Sequence, residues 1–230
     1  MRAAIQAGLN VIEQFVLDTE APVAGTRGEV HFIDANTLQR VATTVTPQSV
    51  IAVVQMPATS TNDLSALSPR ASKNAEWILV ADRVGDPGNL GTMIRSAVAA
   101  GAAAIVTTPQ SVDLYSPKVV RAAAGALFAI PAFQSLSLTD IDAMGWPLFG
   151  TTSHSELRPV AYDEVDMTKG LAIVMGNEAA GLDRHAPVSQ WVMIPHLGPV
   201  ESLNVAMATT VLSFEVARQR KRPITGDSAH

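Results

Sequence analysis

Short apolar runs alternate with alanine-rich stretches over residues 76 to 220 of the chain. Near-continuous apolar runs are typical of strands buried on both faces in a parallel sheet, and the alanine-rich stretches between them favour helices. The pattern therefore predicts an α/β domain in which a parallel sheet carries helices on both faces. The predicted strands span residues 77–81, 104–107, 148–151, 171–175 and 191–194.

The last predicted helix begins near Ser202 and continues past Arg218. Serine suits the start of a helix, because its hydroxyl oxygen accepts a hydrogen bond from a backbone amide of the first turn. The residues that mark successive turns of this helix are Val205, Ala208, Thr209, Leu212, Glu215 and Val216.

The first 57 residues contain shorter elements and predict a separate small α/β domain. We expect a helix that closes at Gly8, a short helix after Asp34, and strands over 11–17, 30–33 and 50–55. Residues 58–72 are rich in Ser, Thr, Pro and Ala and show no apolar period, which is typical of a linker. The larger domain then spans 73–222, and 223–230 form a tail.

The composition indicates a soluble globular protein, since 230 residues with 47% hydrophobic content can bury one medium domain and one small one. Cysteine is absent and the five histidines are scattered, so a disulfide framework, a thiolate nucleophile and a zinc site have little support. No apolar stretch approaches the roughly 20 residues of a membrane span, and the N-terminus lacks the apolar core of a secretory signal. A cytoplasmic protein without a metal is expected.

The net charge of -5 argues against nucleic-acid binding over the whole surface. Any RNA contact must then be local. The basic run at 218–222 is the best candidate, and Arg70 with Lys73 is a second one. Solvated charges at a helix end and in a linker would give the same pattern.

Three loops that follow predicted strands contain polar residues suited to chemistry. In the first, strand 77–81 leads through a glycine-rich turn into a helix, so backbone amides at the helix start could hold an anion such as an RNA phosphate. Asn89 and Arg95 project from this element. A dinucleotide-binding turn or a simple tight connection would look similar. The glycine spacing, G-x-x-G-x-x-G, and the lack of an acid after the next strand, at 107–109, disfavour a nicotinamide enzyme.

The second loop, 175–181, follows another apolar strand. Gly176 lets a ligand approach the backbone closely, and Glu178 places a carboxylate at the carboxyl end of the sheet, where α/β proteins form their sites. The third loop enters the last helix through Ser202 and Asn204. Taken singly, a surface turn with a capping acid and an ordinary helix start would also explain these residues.

Together, and in this order, the three loops resemble the motifs of the SpoU/TrmH family in the SPOUT superfamily. The pattern D-P-x-N-x-G-x-x-x-R-[TS]-A stands at 86–97, G-x-E-x-x-G at 176–181, and I-P-x-x-G-x-x-x-S-L-N-V-[AS] at 194–206. The close resemblance covers about residues 76–222. It implies a parallel sheet with a C-terminal trefoil knot, a rare exception to the rule that chains do not thread themselves.

The resemblance implies an RNA 2′-O-ribose methyltransferase that uses S-adenosyl-L-methionine, acts on ribosomal or transfer RNA, and works as a homodimer with its sites at the subunit interface. By the same resemblance, the catalytic residues are Arg95, Asn89, Glu178, Ser202 and Asn204. The cofactor-binding residues are Thr151, Met175, Gly176, Asn177, Ile194, Leu197 and Leu203. Arg95 would contact the nucleophilic hydroxyl. Because arginine is normally protonated at any pH that a protein meets, we favour a positioning role over proton abstraction.

The resemblance also implies that the small domain binds the RNA substrate and is short at its N-terminus, since the chain begins within what would be its first helix.

Two alternative functions would each fit part of the sequence pattern. A catalytically silent paralogue would bind RNA or adenosylmethionine without turnover, but all the polar motif residues are present. A nucleotide-dependent oxidoreductase would use the turn at 85–91, but the glycine spacing argues against it.

Overall fold

The structure is a computed structural model that describes residues 1–42, 47–67, 76–200 and 202–220. The chain divides into two units, Met1–Ala58 and Thr59–His230. None of the helices in the described ranges has the length and apolar character needed to cross a membrane.

A three-stranded sheet forms the centre of the first unit. The strand order is β2-β1-β3, with β2 parallel and β3 antiparallel to β1. The elements are α1 (Arg2–Gln6), β1 (Val11–Leu17), β2 (Glu29–Ile33), α2 (Ala35–Val41) and β3 (Val50–Val54). Helix α2 begins after Asp34, whose carboxylate accepts hydrogen bonds from the amides of Asn36 and Thr37 at 2.9 and 3.0 Å. The elements predicted in this region are confirmed.

The second unit is built on a seven-stranded sheet in which all neighbouring strands are parallel, in the order β6-β5-β4-β9-β7-β10-β8. Its strands are β4 (Trp77–Ala81), β5 (Ala104–Thr107), β6 (Ala132–Phe133), β7 (Leu148–Thr151), β8 (Val160–Ala161), β9 (Leu171–Met175) and β10 (Gln190–Met193). The five predicted strands are present, the last shifted by one residue. The edge strands β6 and β8 were not predicted, because two residues are too few to form an apolar run.

Helices cover both faces of this sheet, as predicted. They are α3 (Thr61–Ala66), α4 (Pro87–Ala99), α5 (Pro117–Ala122), α6 (Leu138–Ala143) and α7 (Val205–Gln219). Successive side chains of a strand point to opposite faces. Leu79 of β4 therefore packs in a cluster with side chains of α4, α5 and α7, whereas Val80 packs in a second cluster with Leu64 of α3 and Ile141 of α6.

Helix α3 lies within the segment predicted as a linker, so that prediction is wrong for residues 61–66. The backbone amide and hydroxyl of Ser60 donate to the carboxylate of Asp63 at 2.8 and 3.0 Å and fix the helix start. Leu64 is fully buried in the sheet's second cluster. A helix with one buried apolar side chain within its span shows no apolar period, which is why the sequence pattern did not predict it. Residues 68–72 of the predicted linker lie outside the described residues.

Helix α7 begins after Asn204 and not, as predicted, with Ser202 as its cap. The side-chain oxygen of Asn204 accepts hydrogen bonds from the amides of Ala206 and Met207 at 2.9 and 3.3 Å. Asparagine satisfies these amides as well as serine does, so residue type alone could not distinguish the two candidates.

Helices α4 and α5 approach each other closely at Gly91. A Cβ atom at this position would overlap Ala122 and come within 2.8 Å of the backbone nitrogen of Ala123. A side chain here would force the two helices apart. The glycine therefore fixes the spacing of α4, the helix that bears Asn89 and Arg95.

Candidate active site

A cavity of about 760 Å³ opens where the carboxyl ends of β7, β9 and β10 meet the start of α7. Parallel α/β sheets form their ligand sites at this edge. The volume lies within the range of roughly 300–1,000 Å³ that small-molecule sites occupy.

The loop after β9 folds back on itself beside this cavity. The backbone oxygen of Asn177 accepts a hydrogen bond from the amide of Gly181 at 2.9 Å. The side-chain oxygen of Asn177 accepts from the amides of Ala179 and Ala180 at 3.0 and 2.9 Å. Gly176 lies where the two ends of the loop touch, and a Cβ atom there would be 2.5 Å from the carbonyl carbon of Gly181. Any side chain at Gly176 would therefore push the loop open.

Glu178 joins this second loop to the first. Its carboxylate accepts hydrogen bonds from the backbone amides of Gly85 and Asp86, at 3.3 and 3.2 Å, and from Nδ2 of Asn89 at 3.1 Å. Burial alone would raise the pKa of Glu178. Hydrogen bonds from its own backbone amide, from Asn89 and from the amides of Asp86 and Gly85 outweigh burial, so the pKa lies below its ordinary value. Glu178 is thus an ionised acceptor at neutral pH.

These contacts use the backbone amides at the start of α4. The amides of Gly85 and Asp86 point at Glu178, and the amide of Asn89 donates to the Asp86 carboxylate at 2.7 Å. These contacts contradict the prediction of an RNA phosphate at the amides of Gly85, Asp86 and Asn89. A second anion would have to displace a carboxylate of the protein from the same donors.

Asn89 and Asn204 connect the third loop to the other two. Oδ1 of Asn89 accepts a hydrogen bond from Nδ2 of Asn204 at 3.1 Å, while Nδ2 of Asn89 donates to Glu178. Asn204 in turn caps helix α7. A continuous chain of hydrogen bonds, Glu178–Asn89–Asn204, thus holds the three loops together along one wall of the cavity. Both side-chain amides are oriented by partners at each end before any ligand binds.

Arg95 lies apart from this chain. Its side chain is exposed, does not line the cavity, and makes no hydrogen bond or ion pair with any residue that the structure describes. Because it follows Asn89 by six residues, it lies about 9 Å further along the axis of α4. Within one chain, the structure does not bring Arg95 together with the other predicted catalytic residues.

Most of the predicted site residues line the cavity. They are Asn89, Thr151, Met175, Gly176, Asn177, Glu178, Ile194, Ser202, Leu203 and Asn204. The hydroxyl of Thr151 donates to the backbone oxygen of Val174 at 3.0 Å, which orients that side chain at the end of β7. Leu197 is fully exposed and, like Arg95, is not part of the lining.

Sequence reasoning missed the residues that follow β7. Thr152, Ser153 and His154 line the cavity, as does His196 of the third loop. The strand itself was predicted, and the carboxyl ends of parallel strands meet at one edge, so position alone could have indicated them. Other lining residues that were not predicted are Ala179, Ala180, Gly181, Leu182, Val192, Val205, Ala208 and Leu212.

Two basic residues near the end of α7 are held by contacts within their own unit. Arg218 forms an ion pair with Glu215 at 2.6 Å, and Arg220 donates to the backbone oxygens of Met167 and Lys169 at 3.0 and 2.5 Å. These contacts favour a structural role for both over an RNA contact. The other basic candidates, Arg70, Lys73, Lys221 and Arg222, lie outside the described residues.

The fold and the cavity define an α/β protein with a small-molecule site at the carboxyl edge of a parallel sheet. Over the described ranges, no three His, Asp or Glu side chains are grouped so as to hold a metal ion. The model of the SpoU rRNA Methylase family matches residues 76–214. The chain belongs to this family, as its three motifs predicted.

Two curated relatives share this ancestry over most of the chain. The 23S rRNA (uridine(2479)-2′-O)-methyltransferase of Streptomyces viridochromogenes is 35% identical over 185 residues, which cover 76% of this chain and 61% of that protein. The 23S rRNA (guanosine(2553)-2′-O)-methyltransferase RlmP of Bacillus subtilis is 32% identical over 193 residues, covering 82% and 72%. The chain thus spans less than two thirds of the Streptomyces relative.

Solved structures agree with the fold. The SpoU methyltransferase AviRb from Streptomyces viridochromogenes, in complex with AdoMet, superimposes with a TM-score of 0.81 at 28% identity, covering 96% of this chain and 87% of that one. The AdoMet-bound rRNA methyltransferase from Sinorhizobium meliloti gives 0.80 at 29% identity, covering 95% and 85%. The predicted α/β fold with its parallel sheet is confirmed. Both relatives hold AdoMet, which is S-adenosyl-L-methionine.

Proposed function

We propose that the protein transfers the methyl group of S-adenosyl-L-methionine to a ribose 2′-hydroxyl of RNA, with ribosomal RNA as the substrate class. The observation that carries the proposal is the hydrogen-bonded chain Glu178–Asn89–Asn204, which unites the three family motifs at one cavity. The activity of the relatives supports the same reaction. The motif residues are intact, and nothing favours a catalytically silent protein.

The cavity suits adenosylmethionine, a ligand with both apolar and hydrogen-bonding parts. Its volume is about 760 Å³, and Gly176 is part of its lining. Asn177 adds polar groups, and Met175, Ile194 and Leu203 add apolar contact surface. These residues would hold the cofactor, which supplies a methyl group on a positively charged sulfur.

The chain's own residues then have to orient the ribose and keep the site ordered. Ionised Glu178 fixes Nδ2 of Asn89, and Asn204 fixes its Oδ1, so the wall of the cavity is preorganised. Ser202 offers a hydroxyl at the same wall, and no hydrogen bond within the described part of the chain occupies it. We assign Ser202 a contact to the substrate.

A second copy of the chain completes the site in our proposal. Met207, Val211 and Phe214 lie along one side of α7, at the spacing that places residues on the same helix face, and are 65%, 36% and 51% exposed. Leu197 and Val200 in the preceding loop are also exposed. Apolar surface of this kind marks protein–protein contacts. A twofold dimer over this face would present Arg95 of each copy to the cavity of the other.

In this arrangement Arg95 acts on the hydroxyl that receives the methyl group. Its guanidinium is a permanent cation with several donors. It would hold the ribose oxygen and the neighbouring phosphate in line with the donor methyl. Alignment of this kind is the main demand of the reaction, because the methyl group is already activated by its sulfur.

Three finer expectations belong to the same proposal. The second unit forms a C-terminal trefoil knot, in keeping with the position of β9 between β4 and β7 and the return of α7 to α4. The first unit binds the RNA substrate and gives the protein its choice of nucleotide. The protein works in the cytoplasm, where its RNA substrate lies.

Replacement of Arg95 by alanine tests the proposal. Methyl transfer to RNA should fall by at least about a hundredfold, the loss expected when a group that orients reacting atoms is removed. Adenosylmethionine binding, followed by calorimetry, should stay within about twofold of wild type, because in this proposal Arg95 contacts the ribose and phosphate of the RNA and not the cofactor. Arg184→Ala, at another exposed arginine outside the cavity, is the matched control. Full turnover by Arg95→Ala would remove Arg95 from the mechanism.

A further inference from the structure

Arg83 occupies a backbone conformation that favours glycine. It follows β4 with φ at 54°, in the left-handed region that side chains disfavour. Its neighbour Asp82 is only 7% exposed and accepts a hydrogen bond from the hydroxyl of Thr108 at 2.8 Å. Nε of Arg83 donates to the other carboxylate oxygen at 3.0 Å. A buried carboxylate thus fixes the guanidinium of Arg83.

The same arginine contacts both ends of the loop 177–181. Its backbone oxygen accepts a hydrogen bond from Nδ2 of Asn177 at 2.8 Å, and its Nη2 donates to the backbone oxygen of Gly181 at 3.3 Å. Asn177 and Gly181 are also bonded to each other through their backbones. Arg83 therefore closes a ring of contacts across the base of the loop.

We propose that Arg83 is a positioning residue for the cofactor. Gly176, Asn177 and Gly181 line the cavity, but Arg83 does not, so it acts through the loop that it holds. This inference rests on the proposed function, because the cavity must bind adenosylmethionine for the loop to matter. The role belongs to the side chain, since the conformation alone would be met with less strain by glycine.

The geometry requires arginine and excludes lysine. One planar guanidinium reaches the Asp82 carboxylate through Nε and the Gly181 oxygen through Nη2. A lysine ammonium is a point charge that can pair with the carboxylate but has no rigid fork to span both acceptors. Arg83→Lys should therefore keep the ion pair and lose the loop contact.

The test compares Arg83→Asn and Arg83→Lys with wild type. Asparagine tolerates the left-handed conformation, so the backbone should remain in place. The matched controls are Arg158→Asn and Arg158→Lys, because Arg158 is also an arginine with positive φ, at 50°, and lies outside the cavity lining.

Both Arg83 variants should bind adenosylmethionine about three- to tenfold more weakly by calorimetry, the effect of one hydrogen bond from a charged donor. In the ligand-free protein, amide hydrogen exchange in peptides covering 176–182 should be faster than in wild type. At saturating cofactor, kcat and the KM for RNA should stay within about twofold of wild type, because the bound cofactor then holds the loop and Glu178 keeps its own bonds to Gly85, Asp86 and Asn89.

Three results would overturn the inference. Unchanged affinity and unchanged exchange would show that the loop does not depend on Arg83. A lysine variant indistinguishable from wild type would show that only charge matters. A lower Tm together with a similar fold-loss of affinity for the cofactor and for RNA would indicate a purely structural role. If the wild type itself fails to bind adenosylmethionine, the proposed function fails, and the exchange measurement still decides whether Arg83 holds the loop.

Discussion

Replacement of Glu178 by glutamine should uncouple the first two loops. Glutamine keeps the size of the side chain but replaces one acceptor oxygen with an NH₂ group that only donates. Four N–H donors point at the carboxylate; they come from Gly85, Asp86, Asn89 and, at 3.5 Å, Asn177. In either orientation of the amide, at least one of them would face another donor.

The size of the effect follows from the number and exposure of these bonds. Hydrogen bonds to a charged acceptor contribute about 1.5–3 kcal/mol each where they are protected. Glu178 is exposed, so water replaces part of what is lost. A total loss of about 1–2 kcal/mol is expected, which weakens adenosylmethionine binding by up to about five- to thirtyfold.

Calorimetric titration with adenosylmethionine measures this effect directly. Glu164→Gln is the control, because Glu164 is an exposed carboxylate outside the cavity whose side chain has no hydrogen-bond partner in the described part of the chain. A thermal melt should show that both variants are folded. Affinity within twofold of wild type in a folded Glu178→Gln protein would show that cofactor binding does not depend on these hydrogen bonds.

The lowered pKa of Glu178 adds a pH dependence to the same experiment. A carboxyl group whose pKa is lower in the folded state contributes stability that is complete above its unfolded pKa and is lost as pH falls through the folded value. Because the ionised carboxylate also orders the wall of the cavity, the affinity of the wild type for adenosylmethionine should persist from neutral to mildly acidic pH and decline only in stronger acid. The Glu178→Gln variant should lack the part of that decline caused by Glu178, and identical profiles would contradict this assignment.

Two further predictions concern the dimer and the packing of α4. Phe214→Asp places a charge in the exposed apolar face of α7, so light scattering should show monomers that bind adenosylmethionine but transfer little methyl; a fully active monomer would exclude the shared site. Gly91→Val forces α4 away from α5 at Ala122, which should lower the free energy of unfolding by about 1–3 kcal/mol in urea titrations. An unchanged urea midpoint would mean that the two helices can separate without cost.

The long strands were predictable because burial on two faces leaves an unmistakable pattern. β4 and β9 are fully buried and wholly apolar, so their composition specifies their environment. Helix α3 and the start of α7 depend instead on single contacts, which a local sequence pattern does not predict. Leu64 is the buried side chain within α3. The choice of Asn204 over Ser202 as the cap goes with a bond to Asn89, a residue 115 positions away.

The candidate site was likewise predictable only in part. Motif residues from three loops were placed at the cavity by their resemblance to a family, but the chain Glu178–Asn89–Asn204 that unites them was not deducible from spacing. Arg83 was not predicted as a functional residue, for a related reason. An arginine after a strand has no distinctive pattern, and both its positive φ and its contact with Gly181 arise from the folded arrangement of two loops.

Identification of the methylated atom is the decisive test of the proposed reaction. Purified protein is incubated with total RNA and adenosylmethionine labelled in its methyl group, and the RNA is then digested to nucleosides. We expect label in a 2′-O-methylribose nucleoside from ribosomal RNA, formed by wild type and not by Arg95→Ala. Label on a base, or no label from a wild type that binds adenosylmethionine, would contradict the proposed reaction.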